Sequence, residues 1–389
     1  MNTLTLCASF EDYRLDIFNS IQQIDAIFWD DHIGKLDVSK SHQFLTDIER
    51  CFPERQYRYV IVYANRDHNK LVGLYFACQY QHDLLLTAPP ALKTLTSSIR
   101  KVFKNFGAVA VAMTGNLETH SQTWWFDEKA LSQAQFFALL AGSLKSVFKK
   151  AFLYIVRDFN IATQDFPSEL NQALNDQHYF LTEGLPLALV HSNDLTPEEY
   201  KSRLKQNYRK LVHKALEKFE QQQFSVTRLD SFTEWVDIIY PMYLNVHARA
   251  KEYAREPFSR EFFLTLASAE NHYAELTLIL DKDHQVAAFT ISIFAGTSYN
   301  PYLFGCREPS DNDPNFYYCL MWFDLENAHS KHIPVIDMGI TNYFPKQNFG
   351  AELKPLNMAV SLCRPLRFLS RSLAKGLNEP QPPVRHVMR

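Results

Sequence analysis

Two stretches decide the reading of the fold: YRYVIVYANRDHNKLVGLYFACQY at residues 57–80 and YAELTLILDKDHQVAAFTISIFA at residues 273–295. Each holds two runs rich in β-branched and aromatic residues around a polar turn, Asn65–Lys70 in one and Asp281–Gln285 in the other. That pattern predicts β-hairpins. Both turns contain Asp-His, at Asp67–His68 and Asp283–His284. The recurrence points to an internal repeat, and so to a molecule of two related halves.

Outward from the hairpins, apolar spacing predicts helices over 11–28 (Leu15, Phe18, Ile21, Phe28) and 41–52 (Phe44, Leu45, Ile48, Phe52). Further helices are expected around 128–149 and 315–331, each leading into a short β run, 151–157 and 334–338. Strands mixed with helices, some joined by hairpins, describe an α/β (α+β) protein with mixed sheets and exclude a bundle or a sandwich. Near 192–196 the sequence SNDLT opens a new helix: Thr196 is a natural N-cap, Pro197 a first-turn residue, and Glu199 completes a capping box. That helix is expected to run to about Phe219 with a basic stripe (Lys205, Arg209, Lys210, Lys214, Lys218). The expected organisation is therefore 1–192, 193–365, and a basic amphipathic helix within 366–389 followed by a flexible tail, EPQPPVRHVMR.

The chain of 389 residues suits two domains, and 46% hydrophobic against 21% charged residues allows a sizeable core. A net charge of −3 excludes a globally basic DNA-binding protein, so no DNA partner is expected. Six scattered cysteines without a CxxC pair read as thiols of a reducing compartment, and no Cys/His spacing suggests a metal site. The first residues, MNTLTLCASFEDYRLD, lack the basic and apolar regions of a secretory signal, and no run is long enough to span a bilayer. The expectation is a cytoplasmic protein, with peripheral membrane contact through 365–377 as an option.

The second half carries YPMYLNVHARAKEYAREPFSREFFLTL (240–266), SYNPYLFGCRE (298–308), NFYYCLMWFDLENAHSKHI (315–333), VIDMG (335–339) and KQNFGAELKPL (346–356). In that order, with Asp337–Gly339, Thr341, Lys346, Gly350 and Ala351, they resemble the acyltransferase half of FemAB-like proteins, which have the GNAT fold. The first half resembles the same family in Phe44–Glu49, LVGLYF and the Gly115–Asn116 turn, so the likeness covers most of 28–365. It implies two tandem GNAT-like halves, an acyl-CoA or acyl-carrier thioester as co-substrate, and no permanently bound cofactor. The sequence departs from the family twice. Gln347–Glu352 fails the (Q/R)xxGx(G/A) pyrophosphate loop at its last position, and nothing resembles the helical arm of the tRNA-dependent Fem ligases.

Acyl transfer to an amine needs a neutral amine, donors at the developing oxyanion, and a proton for the leaving group. Asp337, at the end of an interior strand, and Lys346, one loop later, are the candidate base and anion holder; a structural Asp–Lys pair is the alternative. Tyr302 and Tyr317 flank the loop GCREPSDNDPN and are candidate proton donors, or core aromatics. Asp313 is expected to cap the helix that follows. Tyr243, His247 and Arg249, with Arg255 nearby and Thr341 and Gly350 in the later loop, are candidate substrate-binding residues. The reading is an N-acyltransferase acting on a small amine, with a lipid or cell-envelope precursor as one acceptor class. Aminoacyl transfer from tRNA, which the missing arm disfavours, and a non-catalytic GNAT-like binding module are the alternatives.

Overall fold

The computed structural model describes residues 2–4, 12–65, 70–84, 100, 106–192, 195–249 and 257–388. The Asp67–His68 turn and Arg255 lie outside them. The chain forms two compact units: Met1–Gly34, Lys40–Leu185 and Pro355–Pro380 make the first, and Lys35–Ser39, Pro186–Lys354 and Gln381–Arg389 the second.

In chain order, the first unit holds β1 (Asn2–Leu4), β2 (Tyr13–Phe18), α1 (Ala26–His32), α2 (His42–Cys51), β3 (Gln56–Ala64) and β4 (Lys70–Asp83). It continues with β5 (Ala108–Thr114), β6 (Trp124–Phe126), α3 (Gln133–Val147), β7 (Leu153–Phe159), α4 (Ser168–Asp176) and β8 (Phe180–Thr182). The second holds β9 (Leu187–His191), α5 (Pro197–Arg203), α6 (Gln206–Gln221), β10 (Ser225–Leu229), α7 (Val236–Arg249), α8 (Arg260–Ala267) and β11 (Ala274–Leu280). There follow β12 (Val286–Ala295), β13 (Ser298–Cys306), α9 (Phe316–Ser330), β14 (Val335–Asp337), α10 (Tyr343–Asn348) and β15 (Glu352–Lys354). The chain then returns to the first unit with β16 (Asn357–Leu362) and α11 (Ser370–Gly376).

Both hairpins form, as β3–β4 and β11–β12. In the second, Asp281 Oδ1 accepts from the amides of Asp283 and Gln285, which closes the polar turn. After each hairpin comes a strand, then a core helix and a strand parallel to the first: β5–α3–β7, with β6 between β5 and α3, and β13–α9–β14. The sheet orders are β1-β2-β3-β4-β5-β7-β16-β8, with β6 on β4, and β10-β11-β12-β13-β14-β9-β15. The internal repeat is therefore a repeat of wiring. The strand beside each edge is exchanged: β9 follows β8 in sequence yet joins the second sheet, and β16 follows β15 yet joins the first. This exchange puts the division at Leu185/Pro186 and carries 355–380 into the first unit, where the sequence had suggested unbroken segments 1–192 and 193–365.

Four local expectations change. Residues 13–18, expected within a helix, form β2, where Leu15 and Ile17 alternate inward at the period of a strand. The Thr196–Glu199 capping box forms as expected, but extended backbone at Leu204 and Lys205 divides the helix into α5 and α6. Asn315, not Asp313, caps α9; Asp313 holds the preceding loop by accepting from Arg307 and the Ser310 amide. The tail at 381–388 lies against α10, with Val387 buried. Helix α9 is buried nearly all round, as expected of a helix under a sheet. No helix among the described residues is long and apolar enough to cross a membrane.

Candidate functional site

The site grows out of a short pairing. Strand β13 runs from Ser298 to Cys306, yet its parallel partner β14 meets it only at Ser298–Val335 and Tyr299–Ile336. Beyond Asp337 the chain stays with β9: the Met338 amide donates to Ala188 O (2.9 Å) and the Ala188 amide to Gly339 O (3.1 Å). From Asn300 to Cys306, no described strand pairs with β13 on the β14 side. A fork therefore opens at the carboxyl end of β14, where open α/β sheets bind ligands. On its other side β13 pairs with β12 up to Cys306. A bulge at Ile291/Ser292 leaves Tyr302 as the extra residue.

One arm of the fork is a strained loop. Gly339 (φ 70°), Thr341 (φ 64°) and Asn342 (φ 49°) are left-handed, a conformation that a β-branched threonine adopts only under constraint. The constraint is Lys346. This buried ammonium donates to Gly339 O (3.3 Å) and Ile340 O (2.9 Å), while Asp337 Oδ1 accepts from the Gly339 amide at 2.7 Å. Each of these bonds goes to the backbone of the loop. Gly350 (φ 101°) ends the segment where a Cβ would stand 2.4 Å from Tyr200 Oη, and that hydroxyl donates to Phe349 O. The C-terminal tail braces α10 from outside: Gln347 Nε2 donates to Pro383 O, and the Arg385 amide donates to Gln347 Oε1.

Tyr317 spans the fork. Its ring meets Phe304 of β13 edge-on at 5.3 Å, and the Asn342 side chain on the far arm acts on its phenol. Burial raises the phenol pKa well above the usual tyrosine range, so the group stays protonated. Tyr302 packs elsewhere, on Phe258 (5.8 Å) and Phe262 (6.2 Å). Tyr243 belongs to that aromatic group: its hydroxyl accepts the Phe258 amide, and its ring lies 5.8 Å from His247 and 5.2 Å from Phe263. Arg249, at the surface end of α7, pairs with Glu308 at 3.1 Å. The fold thus gathers Asp337, Thr341, Lys346 and Tyr317 at the fork, and Tyr243, His247 and Tyr302 in an aromatic cluster.

No family model matches the chain. Among solved structures, FemX is similar over 92% of this chain and 100% of its own, with a TM-score of 0.59 at 14% identity. A tandem GNAT protein from the clavulanic acid biosynthesis pathway covers 90% and 99%, with a TM-score of 0.52 at 10% identity. The chain has a tandem GNAT fold. The C-terminal domain of an Agrobacterium fabrum protein named as a lysylphosphatidylglycerol synthetase shares the same GNAT-type fold, with a TM-score of 0.51 at 9% identity over 92% and 93%. By sequence, 144 residues are 28% identical to a Mycobacterium tuberculosis protein named as 8-amino-7-oxononanoate synthase 2. The match takes in 36% of this chain and spans only about a fifth of that relative (19%).

Two features of this chain were not read from the sequence. In the first unit the corresponding fork, between β5 and β7, is closed by Arg157. Its amide donates to Thr114 Oγ1 (3.0 Å), and its guanidinium donates to Asn116 O (3.0 Å), Thr119 O (2.8 Å) and Asp158 Oδ2 (2.8 Å). Asp158 is buried and left-handed (φ 67°), and burial raises its carboxyl pKa. In the second unit, Asp324 lies fully inside α9 and accepts from Ser292 Oγ (3.2 Å) and Tyr299 Oη (3.1 Å). Asn327 donates to Tyr299 Oη and to Glu275, whose other oxygen pairs with Lys331 at 3.0 Å. Burial pushes the Asp324 carboxyl up to about 7. The available signal was the polar residues Asp324, Glu326 and Asn327 inside the otherwise apolar run CLMWFDLENA.

Proposed function

We propose that the protein is an N-acyltransferase whose second unit holds a thioester donor in the β13–β14 fork. The observation that carries the reading is the edge of β13 from Asn300 to Cys306, which no described strand covers on the fork side. An amide-bearing arm, such as that of an acyl-CoA or an acyl carrier, can add to such an edge as a short strand. The thioester carbonyl then lies where backbone N–H groups can stabilise its oxyanion. The neutral amine's nitrogen bonds to the acyl carbon and the C–S bond breaks. The leaving sulfur takes a proton from the Tyr317 phenol, and the proton lost by the amine passes to solvent, which returns one to Tyr317. Tyr317, kept protonated by burial, is placed to supply that donor. Lys346 and Asp337 act as positioning residues, because their bonds to Gly339 and Ile340 hold the loop.

The test is turnover of the full chain with a panel of acyl-CoA and acyl-carrier thioesters and amines, read as thiol release alongside thermal shift. At least one thioester should raise the melting temperature and release thiol. Lys346→Met should lower kcat/KM by about a hundredfold through the loosened loop. A panel in which no thioester binds ends the thioester reading. A second reading, aminoacyl transfer from charged tRNA, is favoured by the basic helix α6, from which Lys210 and Lys214 project into solvent. Salt-sensitive tRNA binding without thioester binding would select it.

A further inference from the structure

The end of the first unit carries a surface that acyl transfer does not use. After β16 the chain makes a 3-10 turn, Arg364–Leu369, and then α11, which docks through its small residues: Ser370 and Ala374 are buried, and Ser370 Oγ accepts the Leu362 amide at 2.9 Å. Docking through small side chains leaves the large ones outside. Phe368 is 77% exposed, and Leu369 and Leu377 are exposed beside it. Phe152, also exposed, borders them through its carbonyl, which accepts the Cys363 amide.

Cations share this face. Arg364, Arg367 and Arg371 line an open groove with Gln172, His178 and Phe180, and the Arg371 guanidinium stands 5.5 Å over the Phe180 ring. Lys375 follows on α11, and no Asp or Glu occurs between Glu352 and Glu379. Among the described residues, none of these four cations has an ion-pair partner. Nearby, burial first and the positive Arg367 second push the Lys145 ammonium down to about 7, and Asp176, which accepts from Gln172 Nε2 at 2.6 Å, is the carboxylate beside the groove.

We propose that the Arg364–Leu377 face docks the protein on an anionic phospholipid surface, with Phe368 entering the headgroup boundary and the arginines on lipid phosphates. The occupant is chosen by the mixture. A nucleic acid answers the cations and can stack on one phenylalanine, but it gives Leu369 and Leu377 no apolar medium, whereas a lipid interface receives both.

The experiment is co-sedimentation of the full chain with phosphatidylcholine vesicles and with vesicles of equal parts phosphatidylcholine and phosphatidylglycerol. Binding should be confined to the anionic vesicles and weaken with salt. Arg364→Gln with Arg371→Gln, both exposed positions, should reduce partitioning by about twenty-five-fold at roughly fivefold per cation. Phe368→Ala should reduce it by roughly tenfold. Phe368→Trp should shift its fluorescence to the blue on anionic vesicles, a readout that does not depend on how the arginine variants fold. Equal sedimentation with neutral vesicles, anionic binding indifferent to all these changes, or tRNA binding through the same arginines without vesicle binding would each overturn the proposal.

Discussion

The two forks share one wiring and have opposite contents. In the first unit β5 ends almost where its pairing with β7 ends, and Arg157 stitches the gap with four hydrogen bonds to Thr114, Asn116, Thr119 and Asp158. In the second unit β13 runs on past its pairing, and the buried cation, Lys346, donates to the loop arm at Gly339 O and Ile340 O. A cation serves both places. In one it fills the cleft; in the other it shapes one wall and leaves the strand edge open. Duplication of a fold thus duplicates the cleft as topology, while the side chain placed at its mouth decides whether the cleft can take a ligand.

The contrast can be broken most forcefully at Arg157. Arg157→Met leaves Asp158 buried without its cation and should cost about 3–5 kcal/mol in urea unfolding. A stable Arg157→Met variant would mean the first fork is not held as described. At the open fork, Tyr317→Phe should cost only about 1 kcal/mol of stability. It should lower kcat by roughly a hundredfold with little change in KM; unchanged kcat would remove Tyr317 from the reaction. Gly350→Ala sets a methyl against Tyr200 at a left-handed position and should destabilise by about 1–3 kcal/mol. Thermal melts should show it, and an unaltered melt would mean that the α10 segment shifts freely.

The subtlest effect is a slope. With the Asp324 carboxyl raised to about 7, the folded state keeps a proton that the unfolded chain releases near its ordinary value of about 4. Stability from this group is therefore present at low pH and declines as pH rises from about 4 to about 7. Tyr299, Glu275 and Arg228 are the titratable or charged groups that act on it. Asp324→Asn should remove that decline, seen as a smaller difference between urea midpoints at pH values on either side of the window. Parallel pH profiles for the two proteins would contradict the assignment.

How legible this was depends on the range of each interaction. The hairpins, the Thr196–Glu199 capping box and the Lys346 loop announce themselves because their partners lie within a few residues. Residues 13–18 misled because Leu15 and Phe18 fit a helical spacing by chance, whereas the strand's own alternation, Leu15 and Ile17, is just two residues deep. Arg157 gave no signal, since its acceptors at Thr114, Asn116 and Thr119 come from a different strand and loop. The tail looked frayed by composition, but Gln347 and Arg385 order it through bonds spanning nearly forty positions (|i−j| of 36 and 38).

What the amino-acid sequence determined alone was local: a repeated hairpin, helix starts, a basic and apolar C-terminal segment, and a loop in which Lys346 follows Asp337. What only tertiary structure decided was which strand completes which sheet, which fork stays open, and whether Asp337 and Lys346 face a ligand or their own backbone. The reason is physical. Periodicity and capping are encoded over a few residues, whereas the strand exchange, the bonds of Arg157 and the burial of Asp324 and Lys346 exist only once distant segments have packed.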